Sequence, residues 1–203
     1  VEVEVTNTAE INEALQAGAD IIMLPMFKTV GEVEKFVEYV DGRATVQLLV
    51  ETKEASDSIE EILKVKGIDE IHIGLNDLHL AKKKKFMFEL LADGTVENLA
   101  NSIKSKGIKY GFGGIARVGY GTLPAEYIMA EHYRLGSTAA ILSRGFCNAN
   151  MVENPEEVKD IFIEGIKNIR KKEEEIKLFT KEQFELNKQI VKSKVLEIVS
   201  GLK

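Results

Sequence analysis

Two acidic residues follow consecutive predicted strands at the points where those strands end. The segment ATVQLLVE ends in Glu51, and the segment EIHIG leads into Asn76 and Asp77. Side chains alternate along a strand, so Gln47 and Glu51 share one face. Active sites of parallel α/β barrels lie at the carboxyl ends of the strands, where carboxylate oxygens suit Mg²⁺ or Mn²⁺. Spacing alone leaves a structural alternative open, in which Glu51 caps a helix and Asp77 begins a turn.

The three histidines differ in their relation to this predicted site. His79 comes two residues after Asp77 and is the candidate general acid or base. His72 lies within EIHIG and is expected to point outward from its strand. His132 lies in a predicted helix and is expected to be structural.

A glycine-rich segment, YGFGGIARVGYG, provides candidate anion ligands further along the chain. Glycine lets backbone N–H groups approach an anion closely. Gly113, Gly114 and Arg117 are therefore candidates for binding a phosphate or a carboxylate of the substrate. A tightly packed turn between a strand and a helix explains the same glycines equally well.

The elements that would position these residues follow from the alternation of short apolar runs with amphipathic stretches, which is typical of repeated βα units. Six strands are predicted, over residues 1–5, 20–25, 44–51, 70–74, 110–114 and 139–143. Five helices are predicted, over residues 8–17, 29–39, 58–65, 95–105 and 124–134. A glycine follows four of these helices, where a left-handed C-cap favours it. The pattern predicts an α/β fold with a parallel sheet, as a barrel or a doubly wound sheet.

The last part of the chain has a different character. Residues 155–172 and 181–199 read as two charged helices with no further strand. The chain therefore divides into a partial (β/α) barrel at 1–153 and C-terminal helices at 154–203. Apolar residues from Phe184 to Val199 form a stripe that predicts packing on the barrel or on a neighbouring subunit, and a homo-oligomer is expected.

Composition limits the classes of partner. The formal net charge of −6 argues against nucleic acid, because proteins that bind phosphate backbones usually display a basic face. No run approaches the roughly 18 apolar residues of a membrane span. The single cysteine, Cys147, cannot form an internal disulfide. A small-molecule ligand and a cytoplasmic location are expected.

Three segments, GADIIMLPMFKT, LLVET and GIDEIHIGLNDLHLA, resemble the HpcH/HpaI aldolase and citrate lyase family. The resemblance covers about residues 1–148 and implies a TIM-type barrel. It implies that Glu51 and Asp77 bind a divalent metal, Mg²⁺ or Mn²⁺, and that the substrate is a 2-oxo acid such as pyruvate or its enolate. It also implies cleavage or formation of a carbon–carbon bond at the carbon adjacent to the 2-oxo group, with Gln47, Asn76 and backbone N–H groups near Asp77 contacting the substrate.

The same resemblance implies that part of the family pattern lies outside this sequence. Aligned by motif, the six predicted strands match the third to eighth strands of the eight-stranded family barrel. The first two βα units, which carry the usual base, have no counterpart, and the strand VEVEV lacks the arginine that family aldolases usually carry there. We therefore expect a truncated member that could lack activity.

Two other functions stay open. The segment VEVEVTNTAEINEALQAGADIIML also resembles quinolinate phosphoribosyltransferases, although that likeness ends near Pro25. The third possibility is a barrel without catalytic activity that binds a metabolite. The GLNDL segment favours the lyase over the transferase, whereas the missing arginine and the missing first two βα units keep the barrel without catalytic activity open.

Overall fold

A parallel sheet of five strands forms the centre of the computed structural model, which describes residues 8–147 and 154–202. The strands are β1 Ile21–Leu24, β2 Thr45–Val50, β3 Glu70–Ile73, β4 Lys109–Ile115 and β5 Ala139–Leu142. Each of them overlaps one of the predicted strands. The other predicted strand, at residues 1–5, lies outside the described residues, so the described part of the chain has five strands rather than six.

The order of the strands distinguishes between the two predicted architectures. Each strand pairs in parallel with the next one in sequence, in the order β1-β2-β3-β4-β5. A doubly wound sheet would reverse its strand order at a switch point. The sheet is instead a curled half-barrel, as in part of a TIM-type barrel.

Ten helices surround the sheet in the described residues. They are α1 Thr8–Gln16, α2 Val30–Val40, α3 Lys53–Asp57, α4 Ile59–Ile62, α5 Leu75–Ala81, α6 Glu89–Ala92, α7 Thr95–Ser105, α8 Ala125–Leu135, α9 Pro155–Ile176 and α10 Lys181–Gly201. Three short helices, α3, α5 and α6, were not predicted, because an apolar period of 3.6 is hard to detect over four to seven residues. The segment expected to be a turn at Asp77 is the first turn of α5. None of the described helices is both long enough and apolar enough to cross a bilayer.

Alternate residues of the strands face two different environments. On β2 and β3, Leu48, Val50 and Ile73 belong to the apolar core beneath the helices. The positions between them, including Leu49 and His72, face the other side of the sheet and line a cavity. Residues on both faces of the central strands are therefore buried, one set beneath the helices and the other along the cavity, which explains their nearly continuous apolar sequence.

The C-terminal helices contact the helices that cover the sheet. α10 packs against α8 and α6, and its side chains Val191 and Val195 are buried in the apolar core. The amide of Asn187 on α10 donates to the carboxylate of Glu131 at 2.9 Å and to the carbonyl oxygen of Tyr127 at 3.1 Å. Glu131 is only 1% exposed, and its second oxygen accepts from Arg134 at 2.8 Å. Polar groups therefore fix where α10 docks on α8.

We expect Asn187→Ala to lower the free energy of unfolding by about 1–3 kcal/mol, because two buried acceptors on α8 lose their donor. Urea unfolding followed by circular dichroism would measure this loss. Asn168→Ala is a matched control, since Asn168 is exposed on α9 and its amide donates only to Glu164. Equal stabilities of the two variants would contradict the proposed role of Asn187.

A buried histidine fills the space between β4 and α8. The His132 ring stacks on Phe112 with centroids 3.8 Å apart, and its Nδ1 is 2.8 Å from Ser137 Oγ. Burial, and to a smaller extent the nearby His72, lower the pKa of His132 to about 3. The imidazole is therefore neutral in the folded protein near neutral pH.

Because of this low pKa, the free energy of unfolding should decrease as the pH falls. The unfolded chain takes up a proton at this histidine below about pH 6.5, whereas the folded chain does so only near pH 3. The free energy of unfolding should therefore fall between these values by about 1.4 kcal/mol per pH unit from this group. We expect His132→Asn to show a correspondingly weaker pH dependence in urea titrations from pH 7 to pH 4.5. Ser137→Ala, which keeps the imidazole, should retain the wild-type dependence, and an unchanged slope in His132→Asn would refute the assignment.

Candidate functional site

The side chain of Glu51, which directly follows β2, is buried and confined by its neighbours. Its side chain is 7% exposed, and Oε1 accepts a hydrogen bond from the backbone N–H of Met26 at 3.0 Å. Met26 follows β1 and has a φ of 54°, which is uncommon for a residue other than glycine. Such backbone strain persists only where the surrounding structure imposes it. The loop after β1 is thus shaped to present an N–H group to this carboxylate.

Gly74 gives the Glu51 side chain its space at the end of β3. A Cβ atom at Gly74 would lie 2.8 Å from Glu51 Cβ and 3.0 Å from Oε2. Contacts below 3.0 Å force one of the two groups to move. A glycine at this position is therefore required for the observed orientation of the carboxylate.

Asp77 reaches the same region from the next element. It lies in the first turn of α5, directly after β3, and its side chain is exposed together with that of Asn76. Because β2 and β3 are paired in register from Gln47 with Glu70 to Val50 with Ile73, the residues that follow each strand emerge at the same edge of the sheet.

A cavity of about 530 Å³ lies at this edge. Of the residues predicted for the site, it is lined by Glu51, Asn76, Asp77, Gly113 and Gly114. Apolar side chains make up much of the remaining wall. They include Leu49, Leu75, Phe86, Met87, Phe88, Leu123, Ile128 and Ile141. A largely apolar cleft with a few polar groups is the usual form of a small-molecule site.

Three predicted site residues lie outside the lining of this cavity. Gln47 is four residues before Glu51 on β2, about 13 Å away along the strand, and its amide donates to Glu70 at 3.0 Å. The ring of His79 is buried on α5, and its Nδ1–H donates to the carbonyl oxygen of Leu75 at 3.1 Å. The Arg117 guanidinium lies 4.3 Å from the centre of the Tyr120 ring.

The expectation that His72 points outward is wrong. The side chain is 3% exposed and lines the cavity, and its Nε2–H donates to the carbonyl oxygen of Gly113 at 3.0 Å. A Cβ atom at Gly111 would lie 2.9 Å from His72 Nδ1, so the glycine leaves room for the ring. Burial lowers the pKa of His72, which favours the neutral imidazole. The neighbouring isoleucines are also buried, so the sequence contains no polar face that would reveal the direction of the histidine.

Ser143 and Arg144 also line the cavity, and the sequence analysis missed them. They directly follow β5, as Glu51 follows β2. The rule that identified Glu51, a polar residue just after a predicted strand, would therefore have found them as well. Their contribution depends on β5 lying beside β4 in the sheet.

The fold and the cavity together define a class of protein, the (β/α) barrels that bind small molecules at the carboxyl ends of their strands. A sequence model of the HpcH/HpaI aldolase/citrate lyase family matches residues 1–103, which is just over half of the 203 residues. The chain belongs to this family. The resemblance inferred from the three sequence segments is thereby confirmed.

Solved structures of the same family share the fold. The HpcH/HpaI aldolase of Desulfitobacterium hafniense DCB-2 is 17% identical with a TM-score of 0.58, and the match covers 84% of this chain and 72% of that one. An HpcH/HpaI aldolase/citrate lyase family protein of Burkholderia cenocepacia J2315 is 14% identical with a TM-score of 0.60, and the match covers 83% of this chain and 73% of that one. A citrate lyase of Burkholderia xenovorans LB400 is 15% identical with a TM-score of 0.59, and the match covers 80% of this chain and 56% of that one. At these identities the comparison shows a common fold.

We expect Gly74→Ala to lower the free energy of unfolding by about 1–3 kcal/mol, because the added methyl group overlaps Glu51. Gly31→Ala is the matched control, since Gly31 is exposed on α2 with open space around it, and alanine favours a helix. Urea unfolding of both variants would measure the difference. A Gly74→Ala protein as stable as Gly31→Ala would show that the Glu51 position is not sterically restricted.

Proposed function

We propose that this chain is a divalent-metal-dependent carbon–carbon lyase that acts on a 2-oxo acid. The observation that carries the proposal is that Glu51 and Asp77, from two adjacent strand ends, line one cavity in a member of this family. Family membership supports lyase chemistry in general terms. The metal and the 2-oxo acid are the specific part of the proposal.

The donor set fits a cation that keeps open coordination positions. The described residues contain no group of three or more histidine, cysteine, aspartate or glutamate side chains that could enclose a metal. Two carboxylates instead match Mg²⁺ or Mn²⁺, which retain water or substrate oxygens as further ligands. The N–H group of Met26 orients the Glu51 carboxylate, as partners of metal ligands commonly do.

Glu51 and Asp77 would hold the cation, and a cation bound there supplies a Lewis acid for the 2-oxo group of the substrate. Asn76 would contribute an amide to the substrate carboxylate at the same edge. Gly113 and Gly114 line the cavity without side chains, and a substrate would extend along the sheet past them. His72 is held with its Nε2–H on Gly113 and keeps the neighbouring wall in place.

The apolar wall has a chemical consequence. Side chains such as Phe88 and Ile128 reduce the access of water to the bound substrate. In a medium of low dielectric constant, charged groups stabilise a developing negative charge more strongly than they do in water. In the cleavage direction, the bond between the carbon next to the 2-oxo group and the following carbon would break, and the other fragment would leave as an aldehyde when its hydroxyl group loses a proton. The electron pair would stay on the 2-oxo acid fragment as an enolate, and this charge is what the site would stabilise.

The proposal gives no role to Gln47, His79 or Arg117, because these residues lie outside the lining of the cavity. A homo-oligomer remains part of the proposal. It is supported by apolar side chains exposed on one helix, where Phe162, Ile163 and Ile166 of α9 are between 36% and 58% exposed.

We expect the protein to bind pyruvate in the presence of Mn²⁺. Glu51→Gln or Asp77→Asn should weaken this binding by roughly 10–100-fold or more, since that is the typical loss when a group around a bound metal is removed. Isothermal titration calorimetry would measure the affinities. Glu38→Gln is the control, since Glu38 is an exposed acid on α2 that is not among the residues lining the cavity.

Proton NMR in D₂O distinguishes catalysis from binding. A lyase should exchange the methyl protons of pyruvate, and Glu51→Gln should abolish the exchange. Binding without exchange would favour a barrel that only binds a metabolite. Affinity for phosphoribosyl pyrophosphate without affinity for pyruvate would favour the transferase. Unchanged pyruvate affinity in Glu51→Gln would refute the metal site.

A further inference from the structure

Arg144 occupies a distinctive position among the arginines of the chain. Of the five arginines, Arg43, Arg134 and Arg170 bond to acceptors of the protein, and Arg117 stacks on Tyr120. The structure gives Arg144 no hydrogen bond or ion pair within residues 8–147 and 154–202, and its side chain is exposed at the cavity. A guanidinium group in a cleft without a protein acceptor is available to an anionic ligand.

The turn that carries Arg144 is fixed on both sides. The N–H of Ser143 donates to the carbonyl oxygen of Ile115 at 3.0 Å, which continues the pairing of β5 with β4. The N–H of Phe146 donates to the carbonyl oxygen of Ser143 at 2.8 Å, and the Phe146 ring is 1% exposed. A Cβ atom at Gly165 would lie 2.6 Å from this ring, so Phe146 packs closely on α9. The backbone of Arg144 is thus held in place before a ligand binds.

The charges of the cavity are separated along the sheet. The acidic groups Glu51 and Asp77 follow β2 and β3, whereas Arg144 follows β5 and is the lone lysine or arginine among the lining residues described. Strands in a sheet are 4.7–4.9 Å apart, so the end of β5 is about 10 Å from the end of β3 along the sheet. Between them, β4 contributes Gly113 and Gly114, which have no side chains to divide the cavity.

This arrangement fits an elongated substrate with an anionic group at each end. We propose that Arg144 binds a second anionic group of the substrate, a carboxylate or a phosphate, at the end remote from the 2-oxo acid. The inference rests on the proposed function for the other end of the cavity. Arg144 reaches the cavity from β5, which ends the described strand order at the side away from β1.

The geometry also explains why Arg144, rather than Arg117, is the anion-binding residue. Arg117 lies outside the cavity lining, its Nε is buried without a hydrogen-bond acceptor, and its guanidinium covers Tyr120. The planar guanidinium of Arg144 can instead form two parallel hydrogen bonds to one carboxylate or phosphate. Substrates with an uncharged end would leave it unpaired and should bind more weakly.

The test compares ligands of equal length that differ in one charge. Isothermal titration calorimetry with the full chain and Mn²⁺ would use 2-oxohexanoate, 2-oxoadipate and pyruvate. We expect wild type to prefer 2-oxoadipate over 2-oxohexanoate by about tenfold or more, as a charge-assisted hydrogen bond provides. Arg144→Gln should reduce this preference to about twofold or less and leave the affinity for pyruvate unchanged, whereas Arg144→Lys should retain part of it.

One control variant and one further ligand complete the experiment. Arg170→Gln, on the exposed surface of α9, is the matched control and should behave as wild type. A phosphorylated 2-oxo acid, 2-keto-3-deoxy-6-phosphogluconate, distinguishes the two anions. If only this ligand binds more tightly than 2-oxohexanoate through Arg144, the second anionic group is a phosphate. If only 2-oxoadipate does so, the group is a carboxylate.

The outcomes that overturn the inference differ from those that overturn the proposed function. A preference for the dianions that persists in Arg144→Gln, or that disappears in Arg117→Gln instead, would refute the role of Arg144. So would a wild-type protein that binds neither dianion more tightly than 2-oxohexanoate. If wild type fails to bind pyruvate but keeps an Arg144-dependent preference for a dianion, the anion site stands and the metal-dependent lyase does not.

Discussion

The parallel pairing of five consecutive strands is the constraint on which the site depends. Because every strand runs in the same direction and lies beside its neighbour in sequence, all carboxyl ends meet at one edge. The residues that follow β2, β3 and β5 therefore reach one cavity although they are far apart in the chain. The helices stabilise this sheet, since their apolar side chains pack on one of its faces. The other face lines the cavity.

Glycines at the end of β3 and within β4 determine what the cavity can contain. Gly74 admits the Glu51 carboxylate, and Gly111 admits the ring of His72. Beyond them, Gly113 and Gly114 leave β4 without side chains at the centre of the cavity. The same strand thus separates an acidic end from a basic end without closing the space between them. This separation is the physical basis for our proposal of a substrate with two anionic groups.

The C-terminal helices stabilise the half-barrel at a distance from this chemistry. Glu131, Arg134 and Asn187 form a buried network between α8 and α10, and Arg134 extends it to Glu97 on α7. The bonds from Arg134 and Lys188 lower the pKa of Glu97 to about 2, so that carboxylate stays ionised in the folded protein. α8 in turn carries His132, which packs on Phe112 behind the cavity. Docking of α10 and the position of β4 are therefore linked through one helix.

The sequence by itself determined the alternation of strands and helices, the family and the two acidic residues at strand ends. These features are local, because side-chain alternation and the glycines after helices depend on neighbouring residues. Tertiary structure decided the rest. His72 lies between two buried isoleucines, so only the packing of both faces of β3 shows that it enters the cavity. Gln47 and Arg117 were chosen by their neighbours in sequence, but strand length and a stacking contact place them elsewhere. The position of Arg144 at a strand end can be read from the sequence, but its place in one cavity with Glu51 and Asp77 depends on the long-range pairing of β5 with β4.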